Sequence, residues 1–335
     1  MRNRIYHQWS QQFLVSNGDQ TYVRTTSSGD ETTVLSEAQS YGMLLTVYAA
    51  QKGQANQENF DSLYRYYKNH RLEGTQLMSW KQVIKNGQET VEKHNATDGD
   101  LYIAYSLIEA AKQWPDKAQE YEGQAKSILI DILRFNYNED TGVLKVGNWA
   151  QKNTDFYYLM RTSDTLPHYF QVFYNLTGDE QWLDIKDKML GQLEQISSQS
   201  ETGLLPDFIW VEKSGARVAD ANTIESQYDG AYSYNSCRLP YHLAQSRDER
   251  SQKIVQKMMT FFMKEKRIYA GYDLQGHALN QYQAGSFLAP ITYAANTVEG
   301  NLKLLQQNKY IFTQDLPLDN YYDATMITMI ALELF

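Results

Sequence analysis

Acidic side chains gather at two places where a helix is about to begin. In Ala96-Thr97-Asp98-Gly99-Asp100 two carboxylates precede Leu101, Ala104, Tyr105, Ile108 and Ala111, which recur at the spacing of one buried helix face, with Trp114 and Pro115 closing the run. Val34-Leu35-Ser36-Glu37-Ala38-Gln39-Ser40-Tyr41-Gly42-Met43 has the same layout upstream: a hydroxyl residue, a carboxylate, then a helix. Thr97 is expected to cap the later helix, and Ser36 with Gln39 fits a capping box at the earlier one. First-turn N–H groups have no intrahelical partner and the helix dipole favours negative charge, so capping alone accounts for acidic residues there. Carboxylates placed this way are also suited to acid–base work.

The two segments together resemble glycoside hydrolase family 8. In that family an S-E-x-x-x-Y-G-M block supplies a general acid, and an A-T-D-G-D helix lines the sugar site. The later segment matches from Ala96 through Ile103, Ala104, Ser106 and Ala110 to Trp114. The resemblance implies Glu37 as general acid, with Tyr41, Asp98 and Asp100 among the sugar-binding residues. It also implies cleavage with inversion, which sets acid and base roughly 6.5–9.5 Å apart so that water fits between them. A helix start favours the Glu37 anion, whereas a general acid must hold its proton. Like-charge repulsion from an ionised Asp98 is the expected remedy.

The base is where this chain departs from the family's commonest pattern. Ser233-Tyr234-Asn235-Ser236-Cys237-Arg238 stands where that pattern resembles S-Y-D-A-x-R, and Asn235 cannot take a proton. A subgroup with this Asn, chitosanases among its members, draws its base from the preceding insertion. Here the insertion is Asp220-Ala221-Asn222-Thr223-Ile224-Glu225-Ser226-Gln227-Tyr228-Asp229-Gly230, in which Glu225 is the first choice and Asp229 the second. The competing reading is a carbohydrate-binding protein that has lost its base at Asn235. Arg161, Asp164, Tyr169, Tyr234, Asn235 and Arg238 are further candidates for sugar contact, although capping by Ser163 would also explain Asp164. Trp80, Trp149 and Trp210, in irregular stretches, are candidate stacking platforms. Trp114 and Trp182 are assigned to the core, and His168 and His242 to packing or the surface.

These residues need a scaffold, and helical periodicity dominates the 335 residues. Helices are expected near 5–15, 36–52, 57–70, 98–113, 117–135, 163–176, 179–198, 233–246, 249–265, 285–297, 299–309 and 321–335. Twelve helices in pairs suit a ring of six inner and six outer helices, and the resemblance implies the same all-α (α/α)6 barrel. The economical reading is one catalytic domain over 1–335, since no linker rich in Pro, Gly or Ser divides the chain. Inner helices of such a ring gather their N-termini at one end, where Glu37, Asp98, Asp164 and Asn235 would share a face. The stretches 71–97, 138–162, 200–232 and 267–284 would wall it. Strand-like alternation is confined to pieces such as Val143–Val146 and Phe208–Val211.

Composition narrows the function further. A net charge of −9 argues against a phosphate-binding surface, so no nucleic-acid partner is expected. The 26 Tyr and 6 Trp offer flat surfaces with hydrogen-bonding edges of the kind that stack on sugar rings. Cys237 is the only cysteine, which excludes an intramolecular disulfide, and no Cys/His cluster suggests a metal. No cofactor is expected. The residues from Met1 to Trp9 read straight into a folded segment without a recognisable signal peptide, and no run of about 18 apolar residues appears. The resulting expectation is a monomeric, inverting endo-glycosidase cutting a β-1,4-linked polysaccharide: cellulose, xylan, chitosan, lichenan or a bacterial exopolysaccharide. It would work outside the cell or at its surface, and association with exopolysaccharide synthesis machinery is a further expectation.

Overall fold

The computed structural model describes residues 2–26 and 29–335, so Met1, Ser27 and Ser28 of the expected domain lie outside the described residues. The chain falls into two compact units. One comprises 1–136, 147–149 and 315–335, and the other 137–146 and 150–314.

The first unit contains α1 (Arg2–Phe13), the hairpin β1 (Leu14–Asn17) and β2 (Gln20–Val23), β3 (Glu31–Leu35), α2 (Ser36–Gln51) and α3 (Gln57–Asn69). It continues with β4 (Lys81–Lys85), β5 (Gln88–Val91), α4 (Thr97–Gln113) and α5 (Ala118–Asn136), and α12 (Tyr321–Leu334) returns to it. Strands β3, β4 and β5 form an antiparallel sheet in that order. Burial separates two kinds of helix. α2, α4 and α12 are buried on nearly every face, whereas α3 and α5 bury one stripe, led by Phe60, Leu63, Tyr64 and Tyr67 on α3 and by Tyr121, Ile128, Leu129 and Ile132 on α5.

The second unit contains β6 (Leu159–Arg161), α6 (Pro167–Thr177), α7 (Gln181–Ser198), β7 (Phe208–Glu212), β8 (Gly215–Val218), α8 (Leu239–Ala244), α9 (Glu249–Phe262), α10 (Gly285–Thr297) and α11 (Leu302–Asn308). Strands β6, β7 and β8 pair antiparallel in that order. Phe170, Phe173 and Trp182 pack together where α6 meets α7, and Tyr232, Phe262, Tyr272 and Phe287 make a second aromatic cluster.

Twelve α-helices are present among the described residues, as expected, and the differences are instructive. The helix expected at 163–176 starts only at Pro167, because Thr162–Asp164 forms a separate 3-10 turn and the residue before a proline avoids helical backbone. The one expected at 233–246 shrinks to Leu239–Ala244, because Ser236–Arg238 forms a separate 3-10 turn before it. Gly178 ends α6 in the left-handed conformation at φ 71°, and the Asp179 carboxylate accepts the Gln181 N–H ahead of α7, matching the expected close of one helix and start of the next. Val143–Val146 is no strand and contributes only a bridge between Tyr137 and Leu144. The strand expected at Phe208–Val211 is present as β7, whereas β8 and the hairpin β4–β5 lie in stretches expected to be irregular. No described helix is long and apolar enough to cross a membrane.

Candidate active site

In the first unit the start of α2 is positioned by the sheet beside it. β3 runs directly into the helix, and the Ser36 N–H donates to the Trp80 carbonyl at 2.9 Å just before β4 begins. Glu37, half-buried, thus follows the residue bonded to Trp80, which is 37% exposed. The expected capping box is absent: no side chain caps α2. The Gln39 amide instead accepts the Val23 N–H and donates to the Thr21 and Leu63 carbonyls, all at 3.0 Å, tying α2 to β2 and α3. Tyr41 is fully buried, with its ring edge-on to Tyr102 at 4.8 Å.

The start of α4 lies against that of α2 because residue 99 has no side chain. A Cβ on Gly99 would overlap Ser36 Oγ and come within 2.9 Å of the Ser36 carbonyl carbon. Only glycine permits this approach, which carries Asp98 towards the first turn that bears Glu37. Thr97 does not cap the helix, contrary to expectation. Its hydroxyl accepts from Asn136 Nδ2 at 2.6 Å, and Asn136 and Asn95 exchange amide hydrogen bonds at 3.2 Å. The two acidic residues of the motif then diverge. Asp98 is 4% exposed, with Oδ1 accepting the Gly99 N–H. Asp100 is fully buried and accepts from the Met78 N–H and from Asn95 Nδ2, each at 2.8 Å. Burial pushes the Asp100 carboxyl up to about 8, against those two hydrogen bonds and with the charges of Asp98 and Asp131 adding to the rise. Trp149 follows Asn148, whose N–H donates to Asn95 Oδ1 at 2.7 Å, so this half-buried indole is anchored at the loop leading into α4.

In the second unit the residues around 225 and 235 form one hydrogen-bonded set. Arg161, at the end of β6, donates through Nη2 to Glu225 Oε1 at 3.0 Å, and Asn235 Nδ2 donates to Glu225 Oε2 at 2.8 Å. The Glu225 side chain nevertheless stays 44% exposed. A carboxylate has about four acceptor positions, so one donor on each oxygen leaves room for further hydrogen bonds. Asp229 is different. It is 1% exposed, and its two oxygens accept the N–H groups of Ile224, Glu225 and Ser226 at 2.7, 3.0 and 2.9 Å. The second-choice base is therefore the clasp of the loop that presents the first.

Arg238, 1% exposed, donates to Ser163 Oγ at 2.8 Å and to Asn235 Oδ1 at 3.0 Å. Asp164 and Tyr169 are fully buried, Asp164 with Oδ1 3.9 Å from Arg161 Nη1. Trp210 on β7 is half-buried, stacked with Phe156 and beneath the Arg217 guanidinium at 5.3 Å. Tyr234 is 37% exposed, edge-on to Phe287, with its hydroxyl 3.1 Å from that of Tyr282. Trp182 is fully buried and His242 nearly so, as assigned, while Trp114 is half-buried against Phe60. Sequence reasoning missed Gly99, Asn95, Asp207 and Tyr282. Gly99 was legible in principle, as the one position between two carboxylates where a side chain is dispensed with. Asp207 carried no local signal.

Each unit thus presents carboxylates of the kind that acid–base chemistry uses, and comparison with known proteins gives the family. Residues 1–333 match the model of glycosyl hydrolases family 8, and the chain belongs to that family. It is therefore a glycoside hydrolase of an inverting family with an (α/α)6 fold, and its substrate is a polysaccharide or oligosaccharide. It is 34% identical over 332 residues to a β-glucanase of Niallia circulans, covering 95% of this chain and 80% of the relative. Endoglucanase A of Acetivibrio thermocellus is 30% identical over 309 residues, 87% of this chain and 60% of the relative. Among solved structures, the apo β-1,3-1,4-glucanase of Paenibacillus sp. X4 superposes with a TM-score of 0.88 at 30% identity, covering 99% of this chain and 89% of that one.

Proposed function

We propose that this chain is an endo-acting β-glucanase that cuts a β-linked glucan with inversion, with Glu37 as general acid and Glu225 as general base. The observation carrying the reading is the contrast at 220–230. Glu225 is exposed and oriented by one donor on each oxygen, whereas the Asp229 oxygens are taken up by three backbone N–H groups. Asn235 thus holds a base without being one, as the Asn-containing subgroup requires.

In the step proposed, water gives a proton to Glu225 while its oxygen bonds to the anomeric carbon. The bond from that carbon to the leaving oxygen breaks on the opposite face, and Glu37 delivers its proton to that oxygen. Asp98 binds sugar hydroxyls and keeps Glu37 protonated by like-charge repulsion. Trp80, Trp149 and Tyr234 are the stacking surfaces. The glucan assignment draws on the three named proteins, all described as glucanases. We read residues 1–335 as one catalytic domain acting as a monomer, outside the cell or at its surface, where a polymer is met.

The test is new reducing ends from a panel of mixed-linkage β-1,3-1,4-glucan, cellulose, xylan, chitosan and a bacterial β-linked exopolysaccharide. Fastest release from a β-glucan is expected. Preference for xylan, chitosan or the exopolysaccharide would overturn the substrate assignment, and no release from any polymer would overturn the activity.

A further inference from the structure

Asp207 lies between Pro206 and β7 and is 3% exposed. Its Oδ1 accepts from the backbone N–H groups of Ser233, Asn235 and Ser236 at 3.1, 3.1 and 2.7 Å, and from Ser236 Oγ at 2.7 Å. Its Oδ2 lies 3.5 Å from Asn235 Nδ2, the same nitrogen that donates to Glu225 Oε2 at 2.8 Å. Its own backbone is fastened at both ends. The N–H donates to the Ala231 carbonyl at 2.9 Å, and its carbonyl accepts the Thr162 N–H at 3.0 Å next to Arg161. Burial pushes the Asp207 carboxyl up to about 6, with the Glu225 charge adding to the rise and the hydrogen bonds from Asn235 and Ser236 opposing it. Burying a carboxylate is costly unless its hydrogen bonds are satisfied, and here the satisfying donors all belong to the turn that carries Asn235.

Building on the reading of Glu225 as base, we propose that Asp207 is the positioning residue of that base: it fixes the 233–236 turn so that the Asn235 amide donates to Glu225. Arg238 grips the other end of the same amide, so Asn235 is held at its backbone N–H and its side-chain oxygen while its Nδ2 is directed at Glu225. Asp207 touches no reacting atom. Its effect passes through Asn235, and that route makes it testable.

The experiment measures steady-state kinetics on soluble β-glucan for Asp207→Asn, Asn235→Ala, their double variant and Glu225→Gln, with thermal melts alongside. Asp207→Asn keeps shape and Oδ1 but sets an amide donor against Asn235 Nδ2. A kcat loss on the order of tenfold to a hundredfold is expected, because small misplacements of a catalytic group are that costly. KM should stay within about twofold, since binding is not what misplacing a base removes. The double variant should be no slower than the slower single one, because both changes break one connection. A wild-type kcat in Asp207→Asn, or losses that multiply in the double variant, would overturn the inference while an inactive Glu225→Gln leaves the base assignment standing. A fully active Glu225→Gln would instead overturn the base assignment. Should Asp207→Asn fail to fold, Ser236→Ala removes one donor to Oδ1 and leaves the carboxylate. A kcat lowered severalfold at unchanged KM then supports the inference, and a wild-type kcat contradicts it.

Discussion

The two regions that carry the candidate acid and the candidate base reach similar ends by opposite means. Glu37 and Asp98 stand on the first turns of α2 and α4, where regular backbone sets their direction and a missing side chain at Gly99 sets the approach of the two helices. Glu225 stands in irregular backbone that holds its form only because other side chains hold it, Asp229 from within the loop and Asp207 through Asn235. Each region joins a more accessible carboxylate, half-buried Glu37 or exposed Glu225, to buried ones that fasten backbone. Asp100 and Asp229 accept from backbone or amide N–H groups and Asp207 from those and the Ser236 hydroxyl, whereas Glu225 stays 44% exposed.

The contrast predicts a ranking of damage. The largest effect is expected from Glu37→Gln, which preserves shape and cannot donate a proton. Turnover should fall on the order of 10²–10⁴-fold, the usual worth of a general acid, with oligosaccharide binding nearly intact by calorimetry. Hydrolysis near the wild-type rate would remove Glu37 from the role. Next comes Gly99→Ala, which forces the starts of α2 and α4 apart. Overpacking of this kind costs about 1–3 kcal/mol, so a lower melting temperature should accompany a clear loss of kcat. Unchanged melting and kinetics would show that the helix starts need no such closeness.

Asn235→Asp sharpens the loop side of the comparison. It would place a carboxylate where an amide now donates to Glu225 Oε2 at 2.8 Å, with Asp207 3.5 Å from the same nitrogen. Two carboxylates this close resist joint ionisation, so the acid limb of kcat/KM should move to higher pH, with the greatest loss at low pH. An unmoved limb would mean that residue 235 does not face the base. Asp100 is expected to act on stability rather than on turnover, and so changes kcat least. Its carboxyl is raised from 3.8 to about 8 in the folded chain, so its contribution is fully present below the unfolded value and is lost as pH rises through the folded one. Asp100→Asn should flatten the fall in stability between about pH 4 and pH 8 in denaturant titrations, whatever it costs in absolute stability. An unchanged slope would show that Asp100 does not titrate in this window.

How much was readable beforehand follows the same division. The two helix starts were legible because helical periodicity is local, and the family resemblance singled out Glu37 and Asp98 upon them. The errors there were of partner rather than place: Gln39 and Thr97 bond across to Val23 and Asn136 instead of capping their own helices. On the loop side, local signal ended at two carboxylates four residues apart, ranked Glu225 first and Asp229 second. The choice depends on Arg161 and Asn235, which lie 64 and 10 residues away from Glu225. Asp207 is tied to a turn more than 25 positions on, and no periodicity records such a contact.

The central claim, that Glu225 activates water while Asp229 holds its loop, is tested most directly by azide rescue. Glu225→Ala should be nearly inactive on an activated β-glycosyl fluoride, and azide entering the vacated space should restore turnover and give the α-glycosyl azide, identified by proton NMR. Asp229→Ala should be impaired through its loop and gain nothing from azide. Full activity of Glu225→Ala, or azide rescue of Asp229→Ala in its place, would contradict the account.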